Sequence, residues 1–395
     1  MDSRKAPVDQ VKSYINMPPQ PQARCWADID LAALERNLRH IQSGLPGGLK
    51  YVAVVKADAY GHGIQPVVSR LMQCGADMFA VANIGEGMQI REIGSGWPIL
   101  VLSPVLPGEE EALLDYDLIA TLSTTEEAER FNLFANKTGK QMPVHVKIDT
   151  GMGRSGVWHE SAAVLLQKVS AMSSLRIEGL YTHFSDAPQD RIFTENQRQL
   201  FLEATSEFRK QQTGNPLLIH SDSSSSLKSL GGESPINAVR VGLLQFGVPP
   251  FPESVLADVI VEPVLSFYAQ VGLVKNLPIG TGISYGRTYS LKRDSRVAVL
   301  TAGYGDGIPL ALSNRGHVLI GNQRCPILGR VTMDQTIVDA TEINGVSPGQ
   351  VVTLIGKEKG EGISLSEFAK ISDSIPYEIL CSITKRVQRI YRFAE

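Results

Sequence analysis

YVAVVKA (51–57) runs apolar from Tyr51 to Val55 and then meets Lys56. A run this short, continuous and valine-rich suits a strand buried on both faces rather than an amphipathic helix. Seven more runs follow it: MFAVAN (78–83), PILVLS (98–103), LIATL (118–122), PVHVKID (143–149), RIEGLYTHF (176–184), LLIHS (217–221) and AVRVGL (238–243). Helical signals separate several of them. Ser123-x-x-Glu126 reads as a capping box ahead of EEAERFNLFANK, and DRIFTENQRQLFLEATSEFRKQQ as a long amphipathic helix. Eight strands alternating with helices over about 220 residues predict a closed parallel (β/α)8 barrel, with an open doubly wound sheet as the alternative.

Outward from the barrel the texture changes twice. Upstream, residues 1–23 form a polar arm ending in a proline-rich spacer. It gives way to RCWADIDLAALERNLRHIQ, where Asp30 is placed to cap a helix bearing Leu31, Leu34 and Leu38. Downstream of about residue 255, VEPVLSFYAQVGLVKNL, RVAVLTAGY, GHVLI, RCPILGRV, QTIVDA and QVVTLIG are short β-rich pieces between turn residues. The expected organisation is an arm (1–23), a barrel (24–254) and a mainly antiparallel β domain (255–395). Ser364-x-x-Glu367 would open one short helix there, and RVQRIYRF would be a last strand.

Composition narrows the function. A formal charge of −3 over 395 residues supplies no polybasic field for nucleic acid or an anionic membrane. No run is long and apolar enough for a spanning helix, and the N-terminus lacks the apolar stretch of a secretory signal. The four cysteines (Cys25, Cys74, Cys325, Cys381) form no CxxC pair, as expected of free thiols in a reducing cytoplasm. Seven scattered histidines without HExxH give no metal signature, and no GxSxG elbow marks a serine hydrolase.

Lys56 is the residue with chemical promise. It falls at the carboxyl end of the first barrel strand, where barrel enzymes place catalytic groups. Desolvation there would lower its pKa and free the amine for Schiff-base formation. On position alone, a lysine snorkelling from a strand end explains it as well. GMGRSG (151–156) also fits G-x-G-x-x-G, but it follows the fifth strand and its helix begins late, which argues against a dinucleotide site.

The surroundings of Lys56 weigh more. AVVKADAYGHG resembles the cofactor-attachment segment of alanine racemases, whose lysine holds pyridoxal phosphate. HVKIDTGMGRSGV, EGLYTHFS, VRVGLLQFG, SYGRTYS, GYGDG, GRVTMDQ and PYEILC resemble further segments of that family, in order, between about residues 25 and 393. The resemblance implies a barrel carrying pyridoxal phosphate, a C-terminal β domain and a head-to-tail homodimer with shared sites. It marks Lys56 and Tyr285 as two opposed catalytic bases, since racemisation removes a proton from one face of a carbon and returns it to the other. Arg240 would face the pyridine nitrogen and His183 pack on the ring. Tyr60, Ser224, Tyr377 and the backbone N–H groups of Gly242 and Leu243 would hold the phosphate. Arg154 and Met333 would bind the substrate, Tyr304 would line the entrance, and Lys147 stands where many members are carbamylated.

Three departures from the family pattern are visible. Ser223 stands where asparagine is common, leaving the phosphate ligand open among Ser223, Ser224 and Ser225; Asp58 replaces a frequent asparagine and Thr332 a frequent cysteine. The implied activity is interconversion of L- and D-alanine, supplying D-alanine for the peptidoglycan of a bacterial wall. Serine or a broader amino-acid range, a non-catalytic pyridoxal phosphate carrier and a decarboxylase are the alternatives.

Overall fold

The structure is a computed structural model that describes residues 23–187, 189–212, 216–224, 234–249, 254 and 256–393. The arm at 1–22 and Ser225 lie outside the described residues. All eight expected runs contain strands: Lys50–Val54, Met78–Val81, Ile99–Val101, Ile119–Leu122, Met142–Asp149, Leu175–Tyr181, Leu218–His220 and Ala238–Val241. They pair in parallel around the sheet, with Ala238–Val241 beside Lys50–Val54. A parallel bridge between Ser223 and Arg240 and the bond from Asn237 N to Ile219 O (3.0 Å) join the last two strands and close the ring. Continuous apolar sequence is what this geometry demands, because the inner face packs the barrel core and the outer face packs helices.

Local signals start the helices. Asp30 Oδ1 accepts from the N–H groups of Ala32 (2.9 Å) and Ala33 (2.8 Å), opening the helix Leu31–Gly44. The capping box expected at Ser123 and Glu126 forms one residue later. Thr124 Oγ1 accepts from Glu127 N, Glu127 reaches back to Thr124 N, and the helix runs Thr125–Thr138. Ser123, just past the strand end at Leu122, instead donates its own N–H to Glu127 Oε2 at 2.7 Å. Ser364 caps Leu365–Ile371 as expected.

The second sheet is built on the long strand Leu265–Leu277. It contains a strand absent from the sequence reading, Cys25–Asp30, antiparallel to Leu265–Leu277 and parallel to Gln388–Arg392. The chain therefore contributes to the β sheet before it enters the barrel. Two side chains stitch the units together. Buried Asn37 donates to the carbonyls of Gln245 and Glu262 and accepts from Glu262 N, while Arg36 holds the Glu262 carboxylate with two bonds of 2.8 Å. Gly247, at φ +87°, lies so close that a Cβ there would come within 2.0 Å of Glu262 O. One continuous apolar core runs through barrel and β domain.

Candidate active site

Lys56 lies just beyond the strand Lys50–Val54, at the barrel mouth. The next four residues, Ala57, Asp58, Ala59 and Tyr60, all have φ between 53° and 56°. This is a left-handed turn made without glycine, and each such residue costs about 1–2 kcal/mol. Hydrogen bonds hold it: Ala59 N to Val55 O and Gly61 N to Ala57 O, both 2.9 Å. The Glu86 carboxylate accepts from Ala57 N (2.7 Å) and Ala82 N (2.8 Å), pinning the turn to the neighbouring strand end. Asp58 Oδ1 accepts from Ile64 N at 2.7 Å, so the carboxylate caps the following helix and takes an anion's favoured place at a helix start.

The turn folds Tyr60 back, and both Lys56 and Tyr60 line one cavity of about 420 Å³. Arg154, Lys147, His183, Ser224, Arg240, Gly242 and Tyr377 line it too. Burial lowers the Lys56 pKa, with Arg154 adding to the effect. At one end Ser224 Oγ accepts from Gly242 N (2.9 Å), and the Tyr60 and Tyr377 rings lie 5.8 Å apart. A Cβ on Gly242 would come within 2.8 Å of Tyr60 Oη, so only glycine leaves bare backbone between these hydroxyls. Three hydroxyls gathered along one cavity, with the Gly242 N–H bonded to Ser224 Oγ beside them, make a cradle suited to an anion. Leu243 is not among the residues lining the cavity; its side chain is buried in the core.

Arg240 lines the same cavity from the strand Ala238–Val241, two residues before Gly242. Its Nη1 donates to His220 Nδ1 (2.7 Å) and His220 O (3.1 Å). Its Nη2 donates to Thr182 O (2.8 Å) and Ser221 O (2.9 Å) and lies 3.3 Å from His183 Nδ1. Burial lowers its pKa to about 10, which still leaves it a cation at neutral pH. Burial, then the Arg240 charge, holds His183 down at about 3, so that ring is neutral. Lys147 Nζ donates to Ser155 Oγ (2.7 Å), and burial followed by Arg154 lowers it to about 8.

The glycines at 151–156 serve the protein itself. The Asp149 carboxylate accepts from the N–H groups of Gly151 (2.9 Å), Met152 (2.9 Å) and Gly153 (3.0 Å). Those donors face a side-chain carboxylate rather than a pyrophosphate, and the loop they shape presents Arg154 to the cavity.

Tyr285, Tyr304 and Met333 do not line this cavity within one chain. They stand on the β domain, 73%, 45% and 53% exposed. Ser284 Oγ donates to Arg330 O (2.6 Å), Tyr304 N to Thr332 O (2.9 Å) and Gly305 N to Met333 O (2.9 Å), which ties the three into one surface. Thr332 uses its hydroxyl locally, donating to Gln335 O at 2.9 Å.

Several contributors escaped the sequence reading. His220 and His145 back Arg240, with His145 Nδ1 3.1 Å from His220 Nε2. Tyr181 lines the cavity and pairs with Thr121 across 2.7 Å. Arg198 grips Asp222 through buried bonds of 2.6 and 2.9 Å, anchoring the segment that carries Ser223 and Ser224. The only local signal was polar residues inside apolar runs, His145 in PVHVKID and His220 in LLIHS.

Residues 29–250 match the family model described as the alanine racemase N-terminal domain, and residues 264–391 match that of the C-terminal domain. The chain is 40% identical over 371 residues to an alanine racemase of Halothermothrix orenii, covering 93% of this chain and 96% of the relative. Among solved structures it resembles alanine racemase from Clostridium difficile 630 (TM-score 0.87, 29% identity, 95% and 97% of the two chains covered). It also resembles that from Bartonella henselae with covalently bound pyridoxal phosphate (TM-score 0.80, 28% identity, 93% and 99% covered).

Proposed function

The chain belongs to the alanine racemase family, and from that premise we propose that it interconverts L- and D-alanine with pyridoxal phosphate, using Lys56 and Tyr285 as opposed bases. One observation carries the reading: a partly buried lysine of lowered pKa shares a cavity with an anion cradle and a buried arginine.

That donor set fits the cofactor. Lys56 would hold its aldehyde carbon, Arg240 its ring nitrogen and His183 its ring face. Tyr60, Ser224, Tyr377 and the N–H groups of Gly242 and Leu243 would hold its phosphate. When bound, pyridoxal phosphate supplies an electron sink that makes the substrate's Cα proton labile. Arg240 tempers that sink, because a guanidinium only donates and so favours an unprotonated nitrogen opposite it. With the sink tempered in this way, the proton's fate would stay with the two bases, Lys56 and Tyr285. Arg154 offers a planar fork for the substrate carboxylate.

Lys56 serves one face of the Cα. The exposure of Tyr285, Tyr304 and Met333 on one surface supports a shared site, in which the partner's copy of that surface closes the cavity in a head-to-tail homodimer. Tyr285 would then serve the other face, and the N–H of Met333 the carboxylate. Carbamylation of Lys147 would convert a cation squeezed between Arg154 and Arg240 into an anion that both attract, which is the electrostatic case for the modification. The described residues contain no helix long and apolar enough to cross a membrane, and the four cysteines are free thiols, in keeping with work in the cytoplasm.

The test is direct. Protein purified with pyridoxal phosphate should show a visible absorption band that Lys56→Ala removes, and should make D-alanine from L-alanine by chiral chromatography. A band without D-alanine, while L-serine is racemised, would move the substrate; a band with no D-product at all would end the racemase reading.

A further inference from the structure

The strand Gln388–Arg392, paired with Cys25–Asp30 in the β domain, meets the end of the left-handed turn that follows Lys56. Arg389 and Tyr391 are two residues apart, so they share one face of that strand. A Cβ on Gly63 would come within 2.0 Å of Tyr391 Oη, and Arg389 Nε donates to Gly61 O at 3.1 Å. The rest of the guanidinium turns to a different segment. Nη1 donates to Thr384 O (2.5 Å) and Val387 O (2.8 Å), and Nη2 to Ile383 O (2.7 Å). All four of these acceptors are backbone carbonyls, although a carboxylate would suit a half-buried guanidinium better. Gly61 follows directly on Tyr60, and Ile383 on the helix Pro376–Ser382, which carries Tyr377. One planar group thus ties together the two segments whose tyrosines line the cavity, their rings 5.8 Å apart. The segments also touch, since a Cβ on Gly61 would come within 2.4 Å of Leu380 O. Arg389 itself does not line the cavity.

We propose that Arg389 is a positioning residue for the cofactor phosphate, fixing Tyr60 and Tyr377 at the separation that the phosphate needs. This role rests on the reading of the cavity as a pyridoxal phosphate site. The turn comes from the barrel and the helix from the β domain, so no local sequence holds one hydroxyl against the other. A rigid fork of N–H groups bonds both segments at once, whereas an ammonium is a point charge on a flexible stem. Two hydroxyls held at a set distance meet a phosphate without reorganising, which is the benefit of a preorganised site. By linkage the effect is mutual: a phosphate held between the tyrosines strengthens the grip of Arg389 on both segments.

Arg389→Lys keeps the charge and loses the planar fork. In the full-length protein, titration of the visible band should show pyridoxal phosphate bound about 10- to 100-fold more weakly, as at other sites stripped of an outer orienting partner. Pyridoxal, which lacks the phosphate, should bind the variant and the wild type equally. A merely structural arginine would weaken both alike. On the wild-type chain, amide hydrogen exchange at residues 383–389, which lie off the cavity, should slow when pyridoxal phosphate replaces pyridoxal. Equal losses for the two compounds in a folded Arg389→Lys protein, no loss for either, or exchange at 383–389 that ignores the phosphate would each overturn the positioning role. The exchange measurement needs no variant, so it decides even if Arg389→Lys does not fold. Wild-type protein without a visible band would instead overturn the cofactor reading on which the role rests.

Discussion

Arg240 Nη1 lies 2.7 Å from His220 Nδ1, and because a guanidinium cannot accept, the proton of that neutral imidazole sits on Nε2. His220 Nε2 in turn faces His145 Nδ1 at 3.1 Å, so it donates there and places the His145 proton on its own Nε2. Burial lowers the pKa of both rings, to about 3 for His145. A directed line of donors thus runs from the cation that would meet the cofactor inward to the barrel core's histidines.

Replacing His220 by phenylalanine keeps a ring in place but removes the acceptor. Arg240 Nη1 would lose its shortest partner inside the core, and stability to urea should fall by about 1–3 kcal/mol. Turnover should drop by about tenfold through misplacement of Arg240, with KM nearly unchanged if the substrate groups are untouched.

A shared site predicts complementation. Lys56→Ala and Tyr285→Phe homodimers should each lose at least ~10²-fold in racemisation. Random mixing of refolded subunits puts half the molecules in heterodimers, each with one intact site, so roughly a quarter of wild-type activity should return. Folded heterodimers without activity would argue that Lys56 and Tyr285 never meet.

Gly242→Ala should weaken the cofactor more than the fold. Its methyl group would crowd Tyr60 Oη at 2.8 Å, in the space assigned to the phosphate. Overpacking of that kind costs about 1–3 kcal/mol, or a ~10- to 100-fold loss of cofactor affinity, measured by the rate at which dialysis removes the visible band.

Acid should destabilise the protein before its carboxylates protonate. His62 is held at about 4 and His183 at about 3, both below the ordinary 6.5 chiefly through burial. Folded values below unfolded ones mean that the unfolded chain takes up protons first as pH falls. The contribution is whole above pH 6.5 and erodes between 6.5 and about 4, by roughly 1.4 kcal/mol per pH unit for each histidine. His145 and His220 shift in the same direction. Thermal midpoints should hold from pH 8 to 7 and decline steeply from about 6 to 5.

Lys147, with a pKa of about 8, presents far more free amine at neutral pH than an ordinary lysine. Labelled bicarbonate should give a carbamate resonance in 13C NMR, formed from amine and carbon dioxide with loss of a proton. The resonance should vanish in Lys147→Ala, and its presence in that variant would place the modification elsewhere.

Local periodicity was enough to read eight strands, the Asp30 and Ser364 caps and the change of texture at the β domain, because burial on one or two faces is written residue by residue. Lys56 was legible for the same reason, as a cation ending an apolar run. The strand Cys25–Asp30 was not. Its pairing with Leu265–Leu277 and Gln388–Arg392 joins segments hundreds of residues apart. The capping box slipped by one because Thr124 and Ser123 offer equivalent hydroxyls, and the strand end decided between them.

By itself, then, the chain's order of residues determined which segments are buried and that a lysine amine ends the first barrel strand. Barrel closure decided that His145, His220 and Arg240 line up and that Gly242 stands beside Tyr60, and the packing of the β domain that Tyr285 stays outside the cavity lined by its own chain's Lys56. Hydrophobic pattern dictates whether a side chain goes inward, but which inward side chains touch depends on how distant strands come together, and no local stretch encodes that.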